Sequence, residues 1–169
     1  MTYTLWHRKQ LIGETDFEQE NGESAPQRGE RCHLVGSFHP TAYGQRLLPR
    51  LCGMLTAGFE LKEELVRRGL PADDPPPEIV EQLFETTAAG AHIIDIGRVL
   101  SEVELRDLGG VTLQVASMAF IDLGELASLS RRLGETVEFE EAQSDEAKFL
   151  VSVTLRDLSP DCVGMLPLQ

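Results

Sequence analysis

The sequence predicts an α+β fold: an antiparallel β-sheet of about five to seven strands, with one long helix and one or two shorter helices packed on one face. Three observations predict it. Short runs at both ends alternate apolar and polar residues with period two, the mark of half-buried strands. A central stretch, about Pro49 to Arg68, repeats its apolar residues at helical spacing. The strand-like runs are separated by polar or glycine-rich turns, which suits antiparallel pairing.

Tyr3 to Arg8 and Leu11 to Phe17 read as a hairpin closed by the polar pair Lys9-Gln10. Leu11, Gly13, Thr15 and Phe17 fall on one face, Glu14 and Asp16 on the other. Residues 18–30 hold Asn21-Gly22, Pro26 and Gly29 without apolar periodicity, and read as a long polar loop. Arg31 to Phe38 returns to a strand, ended by His39-Pro40.

Pro49 suits the first turn of the main helix, where its missing N–H does no harm. Leu51, Leu55, Phe59 and Val66 form its expected core stripe, widened by Cys52, Leu61 and Leu65. Glu63–Arg67 and Glu64–Arg68 are pairs four residues apart in the favourable order. Gly69 fits a left-handed cap, Leu70 its apolar contact and Pro71 the stop.

Residues 70–77, with Pro71, Pro75, Pro76 and Pro77, form a stiff connector; no basic residue accompanies the prolines, so a spacer is favoured over a polyproline ligand. Glu78 to Thr86 reads as a short helix ended by Gly90, and the apolar run Ala91 to Ile96 as a strand. Glu102 to Asp107 and Val111 to Ala116 alternate on either side of Leu108-Gly109-Gly110. Asp122 fits the cap of a helix carrying Leu126, Leu129 and Leu133 and closed by Gly134, with Glu125 in capping-box position. A last hairpin runs through Val137 and Phe139, then Phe149, Val151, Val153 and Leu155; residues 159–169 form an irregular tail. The likeness of 103–108 to 153–158 fits either a duplicated hairpin or chance.

Composition bounds the function. The chain has 169 residues, 41% of them apolar, enough for a single domain with its own core. It carries 28 acidic and 15 basic residues, a formal net charge of −13, which repels nucleic acid and anionic membranes. No apolar run reaches the ~18 residues of a membrane span, and the N-terminus lacks the apolar core of a signal peptide. Cys32, Cys52 and Cys162 are odd in number and irregular in spacing, so reduced thiols and a cytoplasmic location are expected.

No motif names a reaction or a cofactor. Cys32, His33 and His39 invite a metal reading, but neighbours in a strand point to opposite faces, so no metal site is expected. His92 and Asp95 would share a helix face, yet fall in the expected strand. Asp107 and Asp157 each follow an arginine; Asp107-Leu108-Gly109-Gly110 matches a type I turn, which favours a structural role for Asp107. Two function classes follow. One is a non-catalytic protein-interaction or assembly module that self-associates or binds another protein. The other is a small-molecule binding protein or enzyme with a helix–sheet pocket lined by Trp6, His7, His33 or His39. The acidic run from Glu135 to Ala147 reads either as protection of a sheet edge or as a docking surface for a basic partner.

Overall fold

The computed structural model describes residues 2–18, 33–72, 74–133 and 148–156. Its first strands, β1 (Thr2–His7) and β2 (Gln10–Glu18), form the expected hairpin. The turn is Arg8-Lys9, one residue earlier than the Lys9-Gln10 pair, with φ of 48° and 67°. Two left-handed residues match the right-handed twist of the strands they join. A β-bulge then breaks the alternation: Leu5 pairs with Gly13 and Trp6 with Leu11, leaving Ile12 as the extra residue. Ile12 is therefore fully buried, and Leu11 leaves the face of Gly13, Thr15 and Phe17 to stand opposite Trp6.

The strand β3 (His33–Pro40) pairs with β2. Next comes α1 (Ala42–Leu51), whose cap Thr41 accepts from the Gly44 N–H at 3.1 Å. The helix sits directly on the bulge. The Thr41 N–H donates to the Ile12 carbonyl at 2.9 Å, and a Cβ on Gly44 would lie 1.9 Å from that same oxygen.

The main helix is not one helix from Pro49 to Arg68. Pro49 lies in the last turn of α1, and α2 (Met54–Arg67) starts beyond a break at Cys52-Gly53. Proline lacks the N–H that continues a helix, and Gly53 at φ 96° turns the chain through the left-handed region. The break rotates the second segment out of phase with the first. Leu51 is buried, but in α2 the buried residues are Ala57 and Leu65, while Phe59 is half-buried and Leu55 is 42% exposed. The end of α2 is as expected. Gly69, at φ 73°, donates to the Val66 carbonyl and Leu70 to that of Leu65, the paired bonds of a Schellman cap. Glu64 pairs with Arg68 at 2.7 Å, whereas Glu63 turns away from Arg67 to Arg132 at 3.2 Å.

The short helix α3 (Pro77–Thr86) follows, and then α4 (Ala88–Leu100), which replaces the strand expected at Ala91 to Ile96. Thr87 starts α4 by accepting from the Gly90 N–H at 3.0 Å, so Gly90 lies inside a helix instead of ending one. A short apolar run alone does not separate a buried helix from a strand. His92 and Asp95 therefore share a helix.

After α4 come β4 (Val103–Arg106), β5 (Val115–Asp122), α5 (Leu123–Leu133) and β6 (Phe149–Leu155). Asp107 shapes the turn after β4: its carbonyl accepts from Gly110 N–H at 3.0 Å and its Oδ1 from Val111 N–H at 2.8 Å. Val111 to Ala116 does not return along β4 as a strand. Only Thr112 bridges to Arg106, and β5 begins at Val115 on the other side of the sheet.

Among the described residues, the sheet has six antiparallel strands in the order β4-β1-β2-β3-β6-β5. Leu113 donates to the Leu105 carbonyl at 2.8 Å and Arg156 to that of Gln114 at 2.9 Å, so residues 113–114 draw the two sides together and the sheet curls. Leu5, Phe38, Leu51, Leu105, Phe120, Val151 and Val153 fill the concave side, with Phe38 edge-on to Phe120 at 4.8 Å. In β6, Val151, Val153 and Leu155 are buried as their alternation requires, and Leu150 on the opposite face is buried too. The fold is α+β, and among the described residues it has five helices, more than expected because the main helix breaks at Cys52-Gly53 and residues 91–96 are helical. Cys32, Cys162, Asp157, Gly134, the acidic run and the tail lie outside the described residues, as does the polar loop beyond Glu18.

These burials reorder the stability ranking along the main helix. Leu51→Ala is expected to cost about 2–5 kcal/mol, and the half-buried Phe59→Ala less than about 2 kcal/mol. Urea unfolding of the two variants checks the order; an equal cost would return Phe59 to the core.

Candidate functional site

The structure does not bring Trp6, His7, His33 and His39 together. Trp6 and His7 are on opposite faces of β1. Trp6 donates to Thr4 Oγ1 at 3.1 Å and lies 4.8 Å beneath the Arg106 guanidinium. His33 and His39 are exposed at the two ends of β3; His33 meets Ser152 Oγ at 2.8 Å and His39 faces Glu14 across the ladder. Among the described residues, no group of three or more His, Cys, Asp or Glu is placed to hold a metal ion.

Only His7 enters a polar cluster. It is 4% exposed, with Nδ1 2.9 Å from Tyr43 Oη and Nε2 3.3 Å from Glu102. Glu102 also accepts from Arg8 Nε and, at 2.8 Å, from its terminal NH2. Beside it, Arg50 forks onto Asp95 at 2.8 and 2.9 Å. The Arg8 hydrogen bonds hold the Glu102 carboxyl below its ordinary range, and those of Arg50 do the same for Asp95.

The kink between α1 and α2 opens a cleft of about 310 Å³ lined by Leu48, Pro49, Cys52, Gly53, His92, Asp122 and Phe149. Its residues resemble the parts of a thiol catalyst, but the thiol is not activated. Burial, then the charges of Asp122 and Glu125, push Cys52 up to about 12. It is a protonated apolar side chain at neutral pH, not a nucleophile.

Glu125 is committed to structure. Asp122 caps α5 as expected, with Oδ1 accepting from Gly124 N–H at 2.8 Å. Glu125, expected to complete that box, crosses to α2 and accepts from Gly53 N–H at 3.1 Å, Thr56 N–H at 2.9 Å and the Thr56 hydroxyl.

A second depression lies along α2. It has a volume of about 390 Å³ and is lined by Phe59, Lys62, Glu63, Val66 and Arg67. Val66 is 63% exposed, and Leu55 stands exposed on the same line. The Arg132 guanidinium of α5 covers one face of the Phe59 ring at 5.0 Å, and Leu133 is exposed near it in sequence. Sequence reasoning read this stripe as core. The signal available was that α2 is apolar on two faces, through Ala57, Leu61 and Leu65 as well as Leu55, Phe59 and Val66. Compared with protein-family models, curated proteins and solved structures, the chain matches none significantly.

Two outcomes follow. In a chain carrying Cys32→Ser and Cys162→Ser, Cys52 is expected to resist iodoacetamide at pH 8 and to react on unfolding; rapid native-state alkylation, read by mass spectrometry, would show an activated thiol. Glu102 and Asp95 have depressed folded pKa values, so their stabilisation is complete above the ordinary carboxylate range of about 4 and is lost as pH falls through the folded values. Glu102→Gln is therefore expected to shallow the loss of thermal stability between about pH 5 and 2, measured as Tm against pH.

Proposed function

We propose that the chain is a non-catalytic assembly module that pairs with a second copy of itself through the exposed line of α2. The exposure of Leu55 and Val66, with the half-buried Phe59 between them, carries this reading, because contiguous apolar surface marks an interaction site.

The arrangement of that line favours a second copy. Leu55 and Val66 are equally distant from the midpoint between Glu60 and Leu61, and so are Phe59 and Lys62. A two-fold axis through that point, with the helices antiparallel, sets Leu55 against the partner's Val66 and Phe59 beside the partner's Lys62. A two-fold interface requires this self-complementarity. Arg132 already stacks on the Phe59 ring, which shows that this aromatic side chain accepts a cation. Gly58 lies on the same face, and a Cβ there would meet nothing within 4 Å, so the backbone is open to close approach. The inert thiol of Cys52 gives no support to chemistry in the cleft at the kink.

Each copy carries a formal charge of −13, so long-range repulsion opposes pairing and salt relieves it. Analytical ultracentrifugation is expected to show a dimer that tightens from about 50 to 500 mM NaCl. Val66→Glu is expected to weaken it about tenfold or more while leaving thermal unfolding of the monomer unchanged. A wild-type chain that stays monomeric to about 200 μM, or pairing insensitive to Val66→Glu, would reject the α2 dimer. Pairing that loosens with salt would also reject it, pointing to a charge-driven contact elsewhere.

A further inference from the structure

The cluster around His7 gathers cations on a chain that is otherwise acidic. Arg8 comes from the β1–β2 turn, Arg50 from α1 and Arg98 from α4, near the carboxylates of Glu102 and Asp95, while Arg46 of α1 stands over the Tyr43 ring. Tyr43, Arg46 and Arg50 follow one another at positions i, i+3 and i+7, one face of α1. Arg8 is near enough for its charge to act on both Arg50 and Tyr43.

The frame beneath these arginines is rigid. Glu102 can only accept, so the His7 Nε2 meets it with a proton, and Nδ1 shares a hydrogen bond with the Tyr43 hydroxyl at 2.9 Å. The Tyr43 ring, held from below, lies 5.8 Å from the Arg46 guanidinium. Arg8 and Arg50 each present Nε and one terminal nitrogen to a carboxylate. A guanidinium has five donors, so each keeps its remaining edge for a second acceptor. Carboxylates that orient arginines in this way reduce the ordering cost of binding an anion.

The turn supplies an independent observation. Arg8 and Lys9 occupy left-handed backbone at φ 48° and 67°, a position that Asn-Gly fills with less strain. Strain held at a cationic turn fits a site kept for binding rather than for stability.

We propose that Arg8, Arg46 and Arg50 form a binding site for a small soluble phosphate-bearing anion, seated over Tyr43. The site is separate from the α2 face and does not depend on pairing.

Inorganic pyrophosphate is the probe, titrated into the full chain at constant ionic strength and followed by calorimetry. Saturable binding with one anion per chain is expected, together with at least about tenfold weakening by Arg46→Gln. Arg46 is exposed and bonds to no carboxylate among the described residues, so that variant keeps its fold. The double change Arg8→Asn, Lys9→Gly gives up the exposed Arg8–Glu102 pair but relieves the left-handed turn, so it is expected to change Tm little while weakening pyrophosphate about tenfold. No saturation by about 10 mM, equal binding by chloride at matched ionic strength, or unchanged affinity in Arg46→Gln would overturn the proposal.

Discussion

The grip of Glu125 on the start of α2 is the constraint on which the helical layer depends. A helix start leaves its first N–H groups without partners, and the cap position before α2 is Gly53, which has no side chain to fill that role. The carboxylate of Glu125 comes instead from α5, distant in sequence, to accept from Gly53, Thr56 and the Thr56 hydroxyl. An anion at a helix N-terminus also complements the helix dipole. That bond fixes the angle of the kink, brings α5 alongside α2 and decides which line of α2 faces outward. The cleft beside Cys52 is a by-product of the same bend, and the negative charge of Glu125 is part of what keeps the thiol protonated.

The sheet has a comparable anchor in the bulge at Ile12. The extra residue gives the core a fully buried side chain and offers its carbonyl to Thr41, so α1 starts at a defined point above β2. From there α1 runs across the concave side, delivering Leu47 and Leu51 to the core and Tyr43 to His7. At the far side, residues 113–114 bond to both β4 and β6, which closes the curl without adding a strand. α1 and the end of α4 thus share the core of the curled sheet around Phe38 and Phe120.

Charge is distributed unevenly over this frame. On a chain with 28 acidic residues, arginines among the described residues collect in two places: around Tyr43, and where the end of α2 meets α5. In the first they are oriented by Glu102 and Asp95, in the second by Glu63 and Glu64. The two proposed activities, anion binding and self-pairing, use these two places. Each combines a rigid support with a face that has donors or apolar surface to spare.

By itself the sequence determined the α+β class, the opening hairpin, the strand at β6, the Schellman end of α2 and the turn at Asp107. These rest on local physics: period-two alternation, a left-handed glycine and an Asp that bonds its own turn. His7 was legible only as one of four candidate pocket residues, with Trp6, His33 and His39. Tyr43 and Glu102 were not, since they meet it from other elements, 36 and 95 positions away in the chain. Tertiary structure decided the rest. It made Ala91 to Ile96 helical, because an apolar run of that length is compatible with either form until a partner surface chooses. It broke the main helix at Gly53 and left Leu55 and Val66 exposed, because periodicity shows that a face is apolar and cannot show what covers it. It sent Glu125 to α2, because a carboxylate bonds the unsatisfied N–H groups that folding brings nearest.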